Sequence, residues 1–338
     1  MKGRLVSLSR VFSGIQPSGD VQLGNYLGAI KGWVNRQDEK DNFFCIVDLH
    51  SLTVYQDPQK LNDQIKSLAA ILFAAGLDPE KCSVFIQSHV KEHAELCWLL
   101  NCITPIGWLE RMTQYKDKSS SQESVSTGLL DYPVLMASDI LLYDAVEVPV
   151  GDDQKQHVEL ARDICQRFNN IYGDTFALPE PVIPEIGARV MGFDNPLIKM
   201  SKSYSNIRGH AIKMIDSEEE ILRTLKRAVT DSGNEIKFSD DPDNAGVNNL
   251  LGIYKVISGK SKEEVELDFI NSRGYGDLKI RVAEVVIEEL KPIQKRYRDL
   301  MENSDHLDKL LSNGAERARS LAEKKMEIVK SKIGLVNN

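Results

Sequence analysis

The sequence predicts an α/β fold, in which a doubly wound parallel sheet is followed by an α-helical C-terminal domain. Short apolar runs alternate with helical patterns in the first half of the chain, and turn residues separate them. Beyond residue 205 the strand signals fade, while helix-capping patterns continue. Strands that alternate with helices pair in parallel through right-handed crossovers. Ligands are therefore expected at the carboxyl ends of the strands.

Apolar runs place the first three strands at residues 10–12, 42–47 and 82–87. Ser13 and Gly14 are expected to end the first of them, because the Gly-rich stretch that follows favours a turn.

Helix-boundary signals place the helices. Apolar residues at helical spacing predict a helix from Leu23 to Val34. A second helix should begin after Asp57, with Pro58 in its first turn, and end before Gly76. Capping boxes predict two later helix starts, at Ser217 with Glu220 and at Ser261 with Glu264.

The change in pattern after residue 204 suggests three parts. Residues 1–204 are expected to form the ligand-binding domain, residues 205–303 a helical domain, and residues 304–338 terminal helices that return to the first domain.

Composition limits the classes of function. With 338 residues, of which 42% are hydrophobic, the chain can bury a large core, yet its longest apolar stretch is too short to cross a bilayer. Five cysteines at irregular spacing indicate reduced thiols in a cytoplasm-like compartment. A formal charge of −8 argues against a non-specific nucleic-acid binder, although binding of one RNA needs only local basic surface.

The most specific pattern is Lys-Met-Ser-Lys-Ser at residues 199–203, which follows a strand-like segment at residues 187–191. Two ammonium groups three residues apart, flanked by hydroxyls, can surround a triphosphate. A solvated basic loop is the alternative, but this pattern is too specific to favour it.

A Gly-rich segment near the start of the chain is the second motif. It reads Ser-Gly-Ile-Gln-Pro-Ser-Gly at residues 13–19 and Gln-Leu-Gly-Asn at residues 22–25. Free backbone N–H groups at the start of a helix attract phosphate, and glycines there allow close approach. Taken alone, a connection used only for tight packing explains this segment equally well.

Together the two motifs resemble those of the class I aminoacyl-tRNA synthetases, and the resemblance narrows to tryptophanyl-tRNA synthetases of the bacterial and organellar type. Residues 129–143 look like that family's amino-acid pocket, and residues 148–157 like its second nucleotide segment. The resemblance implies a Rossmann-like catalytic domain and a helical domain that binds the tRNA anticodon. It also implies ATP-dependent formation of tryptophanyl-adenylate, release of pyrophosphate, and transfer to the 3′-terminal ribose of tRNA(Trp).

The resemblance also implies partners, a compartment and site residues. ATP with Mg²⁺, L-tryptophan and tRNA(Trp) are expected, in a cytoplasmic homodimer that binds neither membrane nor DNA and has no metal site of its own. The residues expected to act in catalysis are Lys199, Lys202 and Gln16. Those expected to bind ATP are Gln16, Pro17, Ser18, Gly24, Asn25, Gly151, Asp152, Asp153, Val190, Lys199, Met200, Ser201, Lys202 and Ser203. Those expected to bind tryptophan are Phe12, His50, Tyr132, Met136, Asp139, Val150 and Gln154.

Asp139 supports the choice of amino acid. The indole N–H of tryptophan can only donate, so a selective pocket should present an acceptor. An exposed residue on an amphipathic helix is the usual role of such an Asp, and only the resemblance favours the indole acceptor.

Several alternatives remain open. Gln22 stands where the family commonly has Thr, and Tyr204 where it commonly has Asp, so a non-catalytic paralogue stays possible. A tyrosine-specific relative is the nearest enzyme alternative. A non-synthetase nucleotidylyltransferase would not need the helical region. Residues 89–93 match the zinc pattern H-x-x-E-H, but two unrelated surface histidines are the preferred interpretation.

Overall fold

The computed structural model describes residues 8–120, 124–151, 154–182, 189–200, 207 and 209–336. Five strands form one sheet in which every pairing is parallel. The strands are β1 (Arg10–Ile15), β2 (Asp41–Ile46), β3 (Cys82–Ile86), β4 (Glu147–Pro149) and β5 (Glu180–Val182). Their order is β3-β2-β1-β4-β5, so the predicted parallel α/β sheet is confirmed.

Helices make up most of the remaining structure. In the first half they are α1 (Leu23–Asn25), a π-helical turn (Tyr26–Ile30), α2 (Lys31–Arg36), α3 (Asp48–Ser51), α4 (Pro58–Ala75), α5 (Glu92–Asn101), α6 (Ile106–Leu109), α7 (Thr113–Ser120), α8 (Thr127–Leu141) and α9 (Lys155–Tyr172). In the second half they are α10 (Glu218–Lys226), α11 (Ala245–Ser258), α12 (Lys262–Asp268), α13 (Tyr275–Glu302) and α14 (Ser304–Ile333). Short 3₁₀ turns lie at Gln87–His89 and Pro242–Asn244.

The first strand is longer than the sequence predicts. Ser13 and Gly14 do not end it, because ladder pairing with β2 continues to Ile15 opposite Ile46. A side chain at Gly14 would lie 3.2 Å from Val47, so glycine here permits close packing within the sheet instead of a turn.

The predicted helix boundaries are confirmed where caps define them. The Asp57 side chain accepts a hydrogen bond from the Lys60 N–H at 3.0 Å at the start of α4, and Gly76 ends that helix with φ of +121°. Both predicted capping boxes are present, at the starts of α10 and α12.

Two hydrophobic clusters fill the space around the sheet. The first includes Phe44 and Ile86 from the sheet and Leu250 and Val286 from the helical region. The second includes Phe43 from the sheet and side chains of α8 and α9. Because the first cluster runs from the sheet into α11 and α13, the helical region is packed directly onto the sheet.

Helix α14 packs against the edge strand β3. A Cβ atom at Gly314 would overlap the carbonyl oxygen of Val84, so only glycine allows this approach. Leu311 belongs to the first cluster and Met326 to the second, so the helix closes both at this edge. Division of the chain at residues 204 and 303 stays a prediction.

Within the described part of the chain, no helix is both long and apolar enough to cross a membrane.

Candidate active site

A short hairpin carries the first residues of the Lys-Met-Ser-Lys-Ser motif. Met191 and Lys199 form an antiparallel bridge, flanked by hydrogen bonds from the Gly192 N–H to the Ile198 carbonyl (2.8 Å) and from the Met200 N–H to the Val190 carbonyl (3.0 Å). The strand-like segment expected at residues 187–191 is therefore only this single bridge at Met191, with residues 187 and 188 outside the described residues. Lys199 is exposed at the open end of the hairpin.

The two motifs touch each other. Cβ, Cγ and Sδ of Met200 lie 3.4 to 3.5 Å from the position that a Cβ atom of Gly24 would occupy. Met200 is only 3% exposed. Because Gly24 has no side chain, Met200 of the hairpin packs directly against it, and the adjacent Lys199 is held beside the start of α1.

A second strand-like pairing fixes the start of α1. The Leu23 N–H donates to the Ile212 carbonyl at 2.8 Å, and the Met214 N–H donates to the Val21 carbonyl at 2.9 Å. The Asn25 Oδ1 accepts a hydrogen bond from the Gln22 N–H at 3.0 Å. Gln22, which departs from the family pattern, thus lies at the start of the helix and is only 1% exposed.

Helix α8 presents one face to the predicted amino-acid pocket. Ser126 caps it by accepting from the Leu129 N–H at 3.2 Å. Tyr132, Met136 and Asp139 then follow at i, i+4 and i+7, which places them on one side of the helix. The partly buried Met136 packs against the second core cluster.

Asp139 is buried and its two carboxylate oxygens are held by three donors. His50 Nε2 lies 2.8 Å from Oδ2, while Gln87 Nε2 and His93 Nδ1 lie 2.7 and 2.6 Å from Oδ1. Asp139 is 1% exposed, so the alternative interpretation, an ordinary exposed helix residue, is wrong. A carboxylate offers about four acceptor positions, so one remains beyond these three.

The environment favours the charged form of Asp139. Burial by itself would raise the pKa of this carboxyl, but hydrogen bonds from His50 and His93 outweigh burial and lower the pKa. The ionised carboxylate can only accept, so both imidazoles point N–H groups at it. The result is a fixed acceptor of the kind that an indole N–H requires.

His93 is an interior residue and not the surface histidine that the sequence suggested. It is 0% exposed, with its Nε2 2.8 Å from the Tyr143 hydroxyl and its carbonyl accepting from the Ser138 Oγ at 2.6 Å. The prediction failed because α5 places its first turn against α8, where Asp139 supplies a buried partner. His89, by contrast, is exposed.

A second pair of polar contacts lies two turns before Asp139 on α8. The Tyr132 hydroxyl is 2.9 Å from Nε2 of the buried His157 and 3.3 Å from Oε1 of Gln114. The edge of the His50 ring approaches the Tyr132 ring at 6.3 Å between centroids. These contacts link α8 to α7 and α9.

The remaining predicted residues fall into three groups. Phe12 is buried on β1 and stacks on Tyr143 with centroids 5.8 Å apart, and Val150 packs against the same core cluster. Residues 16–18 follow β1 directly, while Gly151 and Gln154 follow β4, the neighbouring strand, so both sets lie at the carboxyl end of the sheet. The residues outside the described part of the chain are Asp152, Asp153, Ser201, Lys202 and Ser203.

Sequence reasoning missed four residues of this site: Gln87, His93, Tyr143 and His157. Gln87 follows β3 directly, so its place at the end of a parallel strand was a signal that could have found it. Each of the other three ends a segment that the sequence analysis singled out, but their contacts are visible only in the packed structure.

The described residues contain no group of three or more acidic, His or Cys side chains that could hold a metal ion.

Comparisons with known proteins agree with this geometry. The family model described as tRNA synthetases class I (W and Y) matches residues 7–291. A tryptophan–tRNA ligase of Wolinella succinogenes is 51% identical over 97% of this chain and 99% of its own length. One of Caldanaerobacter subterraneus is 52% identical over the same shares.

Solved structures extend the comparison. Tryptophanyl-tRNA synthetase from Campylobacter jejuni, complexed with ADP and tryptophan, has a TM-score of 0.84 at 42% identity and covers 96% of this chain and 100% of its own. Tyrosyl-tRNA synthetase from Aeropyrum pernix, at 19% identity and a TM-score of 0.66, covers 94% of this chain and 90% of its own, and shares the fold alone. The chain therefore belongs to the class I tRNA synthetases, within the group of tryptophan–tRNA ligases.

Proposed function

We propose that this chain ligates L-tryptophan to tRNA(Trp) with ATP as the energy source. The observation that carries the proposal is the contact of Met200 with Gly24, which joins the two phosphate-handling motifs beside the carboxyl end of β1. The tryptophan–tRNA ligases that match the chain over 97% of its length support the same activity.

In the first step the tryptophan carboxylate attacks the α-phosphate of ATP. A bond forms from the carboxylate oxygen to phosphorus, and the bond to pyrophosphate breaks, which gives tryptophanyl-adenylate. The nucleophile is already an anion and needs no general base. Catalysis therefore depends on positioning and on stabilisation of charge at the phosphates.

The chain's own residues supply that stabilisation from two sides. Lys199 and Lys202 contact the leaving pyrophosphate, while the backbone at Gln16 and Gly24 holds the nucleotide. Mg²⁺, when bound with ATP, neutralises phosphate charge. In the second step the 3′-terminal ribose hydroxyl of the tRNA takes the aminoacyl group and AMP leaves.

Asp139 selects the amino acid in this proposal. The carboxylate, held by His50, Gln87 and His93, accepts the indole N–H through its remaining acceptor position. Phenylalanine has no donor there, and leaving a buried polar group unpaired costs about 1–3 kcal/mol, or one to two decades in rate. Met136 supplies soft apolar surface beside the ring.

The other partners belong to the same proposal. Residues 205–303 contact the anticodon of tRNA(Trp), and the chain works as a cytoplasmic homodimer. Two neighbouring helices expose large apolar side chains, Trp98 on α5 (69% exposed) and Ile106 on α6 (62%), which suits a subunit interface. Five free cysteines suit a reducing compartment.

Amino-acid-dependent ATP–pyrophosphate exchange tests the proposal, with tryptophan and tyrosine compared side by side. We expect exchange with tryptophan only. Exchange with tyrosine alone would refute the role given to Asp139. No exchange with either, in folded protein with Mg²⁺ present, would favour a non-catalytic paralogue.

Sedimentation velocity tests the subunit arrangement. We expect a dimer for the native chain and a monomer for Trp98→Asp. A monomeric native chain would contradict the homodimer.

A further inference from the structure

Two neighbouring asparagines on α11 each hold the backbone of a different loop by the same pair of hydrogen bonds. Asn249 accepts from the Met191 N–H at 2.9 Å and donates to the Met191 carbonyl at 3.0 Å. Asn248 accepts from the Ser239 N–H at 3.0 Å and donates to the Ser239 carbonyl at 2.6 Å. Asn249 is 8% exposed, so its two bonds are made away from solvent.

The hairpin leaves the backbone of Met191 available for this contact. Its hydrogen bonds run between the residues that flank Met191 and Lys199, so this is a non-hydrogen-bonded pair of an antiparallel ladder. The N–H and carbonyl of Met191 therefore point away from the Lys199 strand. Asn249 pairs with both, as a third strand would, and closes that edge of the hairpin.

The same face of α11 is docked firmly beneath the hairpin. Gly246 precedes Asn249 by three residues, and a Cβ atom there would overlap the carbonyl oxygen of Val229. The Val229 N–H in turn donates to the Phe193 carbonyl at 2.7 Å. The segment 191–193 is thus held at both of its ends by the helical region.

We propose that Asn249 is a positioning residue for ATP activation, because it sets the place of Lys199 relative to the first motif. The path of contacts is short. Asn249 holds Met191, Met191 lies opposite Lys199 in the ladder, and the next residue, Met200, rests on Gly24. Through this path the helical region, which is proposed to bind tRNA, is connected to the lysine proposed to contact pyrophosphate. The inference rests on the proposed function of Lys199.

A purely structural role for Asn249 predicts a different outcome from a positioning role. A general stabilising contact would affect every kinetic constant alike, or none of them. A positioning residue for the hairpin should affect the ATP-dependent constants and leave tryptophan binding unchanged, because the hydrogen bonds recorded for Asp139 and His93 among the described residues involve no residue of α11. Asn248→Ala is the matched control, since it removes an equivalent clamp from a loop that does not carry a motif.

The kinetic test compares Asn249→Ala, Asn249→Asp and Asn248→Ala by ATP–pyrophosphate exchange. We expect Asn249→Ala to raise KM for ATP or to lower kcat by about tenfold or more, with KM for tryptophan within about twofold. Asn249→Asp retains the acceptor for the Met191 N–H but loses the donor, and should show a smaller change in the same direction. If Asn249→Ala fails to fold, the Asp variant gives the answer.

Hydrogen–deuterium exchange separates this inference from the proposed activity. Asn249→Ala should speed exchange of the Met191 and Met200 amides by about tenfold or more, and Asn248→Ala should speed only that of Ser239. Unchanged amide exchange or unchanged ATP constants in folded Asn249→Ala would overturn the inference. So would an equal effect of the two alanine variants on KM for ATP. A native chain without tryptophan-dependent exchange would instead overturn the proposed function, whatever the amide exchange shows.

Discussion

The two halves of the candidate active site are built on opposite principles. On the proposed tryptophan side, Asp139 is 1% exposed and three side-chain donors fix its carboxylate. On the proposed phosphate side, Lys199 is exposed, and its hairpin is held by backbone pairing, by the Met200 side chain and by Asn249. The Asp139 half is a buried network of polar side chains, and the Lys199 half is a surface hairpin that packs against neighbouring elements.

This difference suits the ligands proposed for the two halves. An indole must be distinguished from similar rings, and discrimination is strongest where unpaired polar groups are costly, in the dry interior. A triphosphate is strongly hydrated, and it must enter as ATP and leave as pyrophosphate. Lysines that contact it are therefore better placed on a surface element that can move. Substitutions on the tryptophan side should therefore change stability and KM for tryptophan, whereas substitutions on the phosphate side should change KM for ATP.

The largest effect is expected at Asp139. Asp139→Ala leaves His50, Gln87 and His93 without their shared acceptor and should lower the free energy of unfolding by about 3–5 kcal/mol. Tryptophan-dependent exchange should be lost in any protein that remains folded. Urea unfolding followed by circular dichroism measures the first effect. Asp131→Asn on the same helix is the control, because Asp131 accepts from the Asn101 amide at 2.8 Å and more weakly from the Cys97 Sγ at 4.0 Å, and should change stability by no more than about 1 kcal/mol. An equal loss of unfolding free energy in the two variants would contradict a special stabilising role for the hydrogen bonds to Asp139.

A smaller effect, confined to the phosphate side, is expected at Gly24. Gly24→Leu should displace Met200 from its contact, at a cost of about 1–3 kcal/mol, and raise KM for ATP about tenfold or more. Gly24→Ala is the matched control. Its Cβ would lie 3.4 Å from the Met200 side chain, which is an ordinary contact, so we expect a change within about threefold. Steady-state exchange kinetics at saturating tryptophan distinguish the two. A Leu variant with native KM for ATP would show that the contact does not place the hairpin.

Tyr143→Phe should weaken the interior network by less. Burial raises the pKa of Tyr143, so its hydroxyl stays protonated beside His93 Nε2. Removing the hydroxyl should cost about 1–2 kcal/mol in unfolding free energy and raise KM for tryptophan a few-fold, with KM for ATP unchanged. A variant that alters only KM for ATP would contradict the separation of the two halves.

The smallest effect is a pH dependence that belongs to the tryptophan side alone. Because the folded-state pKa of Asp139 is lowered, its contribution to stability is complete above the unfolded value near pH 4 and is lost as the pH falls through the lower folded-state value. Urea unfolding between pH 6 and pH 3 should therefore show a steeper loss for the native chain than for Asp139→Asn, which cannot titrate. Identical slopes would contradict the lowered pKa.

The sequence predicted most of the architecture because the relevant signals are local. Asp57 and Gly76 mark the two ends of α4 by cap chemistry, and the apolar runs mark β2 and β3. The extension of β1 through Ser13 and Gly14 was missed because pairing with β2 overrides the preference of glycine for turns.

The site was predicted unevenly for a similar reason. Gly24 and Lys199 belong to contiguous motifs, and the prediction that the two segments work together agrees with the contact through Met200. His93 lies in the H-x-x-E-H segment, which was interpreted as two surface histidines, and Asn249 lies in a segment with no motif. Their partners are more than 40 residues away in sequence. Only the packing of separate helices reveals them. Their roles in binding, like those of all the site residues, stay predictions.

The position of α14 has a consequence for how the chain is made. This helix covers the edge of β3, although it follows that strand by more than 200 residues. On a ribosome the sheet would emerge long before its cover, with Val84 and its neighbours exposed along an unprotected edge. A nascent chain released before α14 would contain both sequence motifs but lack the cover of its β3 edge. The edge of the sheet is therefore covered only when synthesis has passed α14.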